Sequence, residues 1–81
     1  MSRGTNQKFK FTYLMRVMLE KTDDEHALTM NQILDELERY DVTAERKSIY
    51  TDFQDMTDKF GIEIIKEQIG RGAYGSHINI L

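Results

Sequence analysis

The chain contains no cysteine. Disulfides and thiolate metal sites are excluded, and a small domain built without them suits a reducing cytoplasm. No apolar run approaches the ~18–20 residues that a membrane-spanning helix needs. Residues 1–10 hold no apolar core of the signal-peptide kind, so export is not expected. There is no internal repeat, no low-complexity segment and no sign of a second domain. The 81 residues are therefore read as one domain, 1–81, with a modest core. Apolar residues at 40% and charged residues at 31% place that domain among ordinary globular proteins.

Basic charge is also scarce. The net charge is −3, which weighs against nucleic acid as a partner, because nucleic-acid binders are usually basic. The distribution matters more than the total. Residues 1–19 carry Arg3, Lys8, Lys10 and Arg16 and no acid, while residues 20–41 carry eight acids against Lys21 and Arg39. Residues 42–81 come to −1. The acid thus falls in the first interhelical loop and the second helix. Those parts can face away from DNA while other parts face it.

Periodicity places the elements. Residues 1–7 read as a polar, flexible arm. Phe11, Leu14, Val17 and Met18 share one face of a first helix over Lys8 to Lys21. Met15 and Leu19 widen that face. A wide apolar face belongs either to a helix packed between two neighbours or to a dimer surface. Thr22 to His26 is an acidic loop, and Ala27-Leu28-Thr29 a short strand. Thr29 is an N-cap for a second helix, Met30 to Arg39, whose apolar positions are Met30, Ile33, Leu34 and Leu37. Asp41-Val42 forms a turn. Thr43 then caps a third helix from Ala44 to Lys59 or Phe60, which Gly61 ends.

Ile49, Phe53, Met56 and Phe60 line the buried face of that third helix. Lys47, Thr51, Gln54 and Asp58 lie opposite, flanked by Ser48, Tyr50 and Asp55. Ile62 to Gln68 alternates as a strand, Gly70, Gly72 and Gly75 mark a hairpin turn, and Ser76 to Leu81 returns with Ile78 and Ile80 on one face. Helix, turn, helix and hairpin in this order make an α+β winged helix-turn-helix, with the hairpin as wing.

Base reading needs long or hydroxylated donors and acceptors near an exposed helix N-terminus, where the free N–H groups also favour phosphate. Arg46, Lys47, Ser48, Tyr50, Thr51 and Gln54 supply such groups. By composition alone they could equally form a solvated face; the preceding turn and the following hairpin favour DNA. Lys8 and Lys10 near the arm and Arg71 between two wing glycines are expected on phosphates or in a narrow minor groove. Arg71 also has a plainer reading as an exposed turn residue.

Here the chain resembles a family. Ser48-Ile49-Tyr50-Thr51-Asp52 is similar to the Thr-Ile-x-Arg-Asp signature in the recognition helix of bacterial transcriptional regulators of the DeoR-like and WYL-domain type. Leu28-Thr29-Met30 before the second helix, Gly61-Ile62-Glu63-Ile64 after the third, and Gly70-Arg71-Gly72-Ala73-Tyr74 in the wing fit the same pattern. The resemblance implies a winged helix-turn-helix that binds operator DNA, usually as a dimer. The sequence departs from it twice. Thr51 stands where the family has Arg, and no effector-sensing domain follows Leu81, as expected of a stand-alone domain or a fragment.

Other chemistry has little support. Asp23, Asp24, Glu25 and His26 are adjacent and match no metal-ligand spacing. His77 has no evident catalytic partner, and no nucleophile–base pair is visible, so an enzyme is not expected. Neither metal nor cofactor is called for. The partners expected are double-stranded DNA and a weak or DNA-dependent second copy through the first helix. The rival reading is a winged-helix protein-interaction module, which the acidic balance and Thr51 favour.

Overall fold

The computed structural model describes residues 7–66 and 72–78. A 3-10 turn, Gln7–Phe9, leads into α1, Lys10–Lys21. Then come β1, Leu28–Thr29; α2, Met30–Arg39; α3, Arg46–Phe60; β2, Ile62–Lys66; and β3, Ala73–Ile78. The three strands form one antiparallel sheet in the order β1-β3-β2. The fold is thus α+β, in the order α1-β1-α2-α3-β2-β3, and has the architecture of a winged helix-turn-helix. Among the described residues no helix is long and apolar enough to cross a membrane.

The core is a single cluster. Ile33 and Leu37 of α2 meet Ile49, Phe53 and Met56 of α3, as the periodicity required, and Leu14, Val17 and Met18 of α1 close the other side. Met30, Val42, Ile62 and Tyr74 complete it. Met15 packs half-buried against this cluster, whereas Leu19 is 40% exposed. Phe60, expected on the buried face of α3, is 54% exposed because the helix runs past the end of the core. Its ring rests instead on Phe11, with centroids 5.6 Å apart.

Local chemistry sets the ends of the helices. Thr29 accepts the Gln32 N–H at 3.2 Å while Gln32 Oε1 accepts the Thr29 N–H at 2.9 Å, a complete capping box. At the other end of α2, Val42 N–H donates to Leu37 carbonyl and Asp41 N–H to Glu38 carbonyl, both at 3.0 Å. Asp41 has φ 61°, so a left-handed residue turns the chain and drops Val42 into the core. Gly61, with φ 67°, closes α3 the same way.

Four boundaries differ from expectation. β1 starts at Leu28 rather than Ala27. α1 starts at Lys10 rather than Lys8, after the 3-10 turn. α3 starts at Arg46 rather than Ala44, with Glu45 as its N-cap. Thr43 does not cap it, because the Gln7 carboxamide holds its backbone instead. Gln7 Oε1 accepts the Thr43 N–H at 3.0 Å and Gln7 Nε2 donates to the Thr43 carbonyl at 2.7 Å. Gln7, read as part of a frayed arm, is therefore tied to the entry of α3. Finally, β3 begins at Ala73, so Gly75 lies within the strand opposite Ile65 and not in the turn. Ile78 pairs with Ile62 but is 49% exposed, whereas Ile62 is buried in the core. The expectations for residues 1–6, 67–71 and 79–81, Arg71 and Ile80 among them, lie outside the described residues.

Candidate nucleic-acid interface

Burial of Ile49, Phe53 and Met56 fixes the rotation of α3 and turns Lys47, Thr51 and Gln54 outward. These three are spaced so that they share one face. Thr51 Oγ1 donates back to the Lys47 carbonyl at 3.3 Å, and Gln54 Nε2 donates to Asp58 Oδ1 at 3.1 Å. Both contacts are local and exposed, so either side chain can exchange its partner for another. Of the six α3 side chains singled out by sequence, that of Lys47 alone makes no hydrogen bond or ion pair among the described residues. It is the free cation of the face.

The other three point elsewhere. Ser48 is half-buried and its hydroxyl donates to the Glu45 carbonyl at 2.9 Å, at the mouth of the helix. Arg46 Nη2 donates to Asn31 Oδ1 at 2.9 Å and so joins the N-termini of α2 and α3. Tyr50 leans on the wing. Its hydroxyl lies 3.0 Å from that of Tyr74 in β3, and the two rings meet edge to face at 6.1 Å. The hydrogen bond to Tyr50, aided by burial, holds the Tyr74 phenol above its ordinary range. Tyr50 therefore fixes the wing against α3 rather than projecting from the helix.

Arg46 and Tyr50 border a cleft of about 340 Å³ between the start of α2, the start of α3 and the base of the wing. Thr29, Asn31, Arg46, Tyr50, Lys66 and Tyr74 line it. Two cations, two hydroxylated rings and the N-terminus of α2 there suit an anionic group. Sequence reasoning did not single out Asn31, Lys66 or Tyr74. Lys66 entered only as a position of the strand expected over Ile62 to Gln68, and Tyr74 only within the wing motif.

The two lysines near the arm have separate fates. Lys10 forms an ion pair with Asp52 of α3, with side chains only 19% and 13% exposed, so its charge is committed within the domain. Lys8 is exposed, its ammonium 5.3 Å from the Phe9 ring centroid. The acidic loop is also self-contained. Asp23 Oδ1 accepts the N–H groups of Glu25 and His26 and meets His26 Nδ1, each at 2.8 Å. Asp24 Oδ1 meets His77 Nδ1 at 2.9 Å.

No family model matches the chain, and neither does any curated protein or solved structure.

Proposed function

We propose that the chain binds double-stranded DNA sequence-specifically and serves in transcriptional regulation in the cytoplasm of a prokaryote or of a phage host. α3 enters the major groove with Lys47, Thr51 and Gln54 at base edges. The cleft bounded by Arg46 and Lys66 takes a backbone phosphate beside the groove. The wing follows the backbone or the minor groove, and Arg71 is the residue that the sequence offers for a phosphate there. What carries the reading is the rotation of α3, which presents a polar face with one free cation beside a basic cleft. The resemblance to DeoR-like and WYL-domain regulators supports it. The reading calls for no catalytic group and no cofactor. A single wing-and-helix module presents about 600–1,000 Å² to DNA, so tight binding needs two copies on two half-sites.

Selection from a random duplex pool, followed by fluorescence anisotropy on the selected site, tests the proposal. Lys47→Ala and Gln54→Ala are each expected to weaken binding by about 1–3 kcal/mol, with the circular dichroism spectrum unchanged. Unchanged affinity in both variants rejects this face as the reader.

The net charge of −3 and Thr51 favour a second reading, a protein-interaction module. Thr51→Arg separates the two. If α3 lies in the groove, the new cation raises affinity and steepens the salt slope by roughly one unit. If the face meets a protein, duplex affinity and slope stay where they were.

A further inference from the structure

A chain of contacts runs around the cleft between α2, α3 and the base of the wing. Arg46 Nη2 donates to Asn31 Oδ1 at 2.9 Å and ties α3 to α2. Tyr50 stands one helical turn after Arg46, on the same side of α3. Its hydroxyl meets that of Tyr74 at 3.0 Å. Tyr74 is the register partner of Lys66, so these two side chains leave the sheet on one face as close neighbours. All five residues line the one cavity of about 340 Å³. The groups that these contacts leave over are donors. The Tyr50–Tyr74 bond uses one of two phenolic protons, and the other has no acceptor among the described residues. Asn31 spends its amide oxygen on Arg46, which leaves its NH₂ group. Lys66 is exposed and makes no hydrogen bond or ion pair among the described residues. No Asp or Glu among the described residues lines the cavity.

We propose that this cavity is a binding site for a small phosphomonoester dianion, and that its occupation displaces DNA. The charge count selects the ligand. Arg46 and Lys66 bring two positive charges with no carboxylate beside them to offset either. A phosphodiester of the DNA backbone carries one negative charge. A phosphomonoester carries about −1.5 to −2 at neutral pH and presents three acceptor oxygens. The guanidinium, the ammonium and the unspent phenolic proton supply donors for all three, two of them charge-assisted. A diester in a duplex has only two such oxygens, and its two ester links must leave the cavity in both directions. The volume lies at the small end of ligand pockets, with room for a phosphate on a short organic body. Under the DNA reading a backbone phosphate calls on the same donors, so duplex and dianion exclude each other. That competition rests on the DNA reading proposed above, whereas the anion site itself does not.

Methyl phosphate and dimethyl phosphate test the site, because they differ in charge on nearly the same small body. Each is titrated into the full chain at constant ionic strength and followed by amide chemical shifts. Methyl phosphate should move the amides of Asn31, Arg46, Tyr50 and Lys66 saturably in the millimolar range. Dimethyl phosphate should bind several-fold more weakly. Arg46→Gln and Lys66→Gln should each weaken methyl phosphate roughly tenfold. Lys21→Gln, at an exposed lysine of α1 outside the cavity, should leave it unchanged. Arg46 and Lys66 are exposed, so circular dichroism reports an intact fold beside each measurement. On the duplex chosen by selection, methyl phosphate at fixed ionic strength should lower occupancy in the parent chain and far less in Lys66→Gln. The absence of a saturable shift in the parent chain overturns the site. So does equal binding of the two esters, since the cavity then selects no dianion. A methyl phosphate affinity that neither cleft variant changes overturns it as well, since the ion then sits elsewhere. Saturable binding with duplex occupancy unchanged keeps the site and overturns the competition. A chain that takes methyl phosphate but no duplex keeps the site and removes the DNA reading and the competition together.

Discussion

A methyl group on Gly75 would lie 2.7 Å from the Asp23 carbonyl oxygen and 3.4 Å from that of His26. Both are backbone atoms and cannot rotate away. Gly75→Ala should therefore cost about 1–3 kcal/mol, read as a melting temperature lowered by several degrees. Gly72→Ala meets nothing within 4 Å, but φ there is +75°, so it costs ~1–2 kcal/mol by a different route. Amide chemical shifts distinguish them: only Gly75→Ala should move Asp23 to His26. If those amides do not move, the acidic loop does not pack on β3 as described. The sequence presents Gly75 as one more turn glycine, because the carbonyls that crowd it come from a loop far away in the chain. The same loop carries a pH-dependent contact. Asp23 raises the His26 pKa above 6.5, and His26 with the loop amides lowers that of Asp23 below 3.8. Stability from a raised histidine is present below 6.5 and is lost as pH rises through the raised value. Stability from a lowered carboxylate is present above 3.8 and is lost as pH falls through the lowered value. The contact is thus strongest between about 3.8 and 6.5, and its energy is small because both groups are exposed. In an NMR titration His26 should titrate above 6.5 and return to it in Asp23→Asn; an ordinary His26 in the parent chain would mean that the contact is not formed.

Among the elements, α2 has the most complete start. Its capping box satisfies two backbone donors at once, so Thr29→Ala should cost about 1 kcal/mol in thermal or urea unfolding. A loss near zero would mean that the cap contributes nothing beyond what water supplies. Thr29 was legible as a cap because a hydroxyl stands just before the helical spacing of α2, but its reciprocal partner Gln32 was not singled out. The buried faces of α2 and α3 were legible from local spacing, since Ile33, Leu37, Ile49, Phe53 and Met56 each declare a helical face within a few residues. The polar face of α3 follows as their complement. What stayed hidden depends on partners distant in the chain. Thr43 resembled a cap until Gln7 took its backbone groups. Lys10 resembled a free cation until Asp52 paired with it. Tyr50 resembled a reader until Tyr74 held its hydroxyl. Phe60 kept the helical spacing of the core, but periodicity carries no information on where the core ends.

At the scale of the whole molecule, charge is the open variable. A chain of −3 repels a duplex at long range, and under the DNA reading Lys47 and the cleft bounded by Arg46 and Lys66 must offset that repulsion locally. α2 packs against α1, and its outward face shows Asp35 and Glu38 to solvent. These acids contribute to the repulsive field without touching the polar face of α3. Asp35→Asn with Glu38→Gln takes the net charge from −3 to −1. If the proposed DNA binding holds, the double variant should associate faster and bind more tightly at low ionic strength. The gain should fade as salt rises, because a Debye length of about 8 Å at physiological salt screens charges that make no contact. The preferred sequence should not change, since neither residue reads a base. Association rates on the selected duplex, measured across a salt series, check this. A gain that persists undiminished at high salt would place Asp35 or Glu38 in direct contact with the duplex and shift the docked face toward α2. No gain at any salt would indicate that the field of the whole chain does not act on the duplex, and the protein-interaction reading would then account better for its acidity.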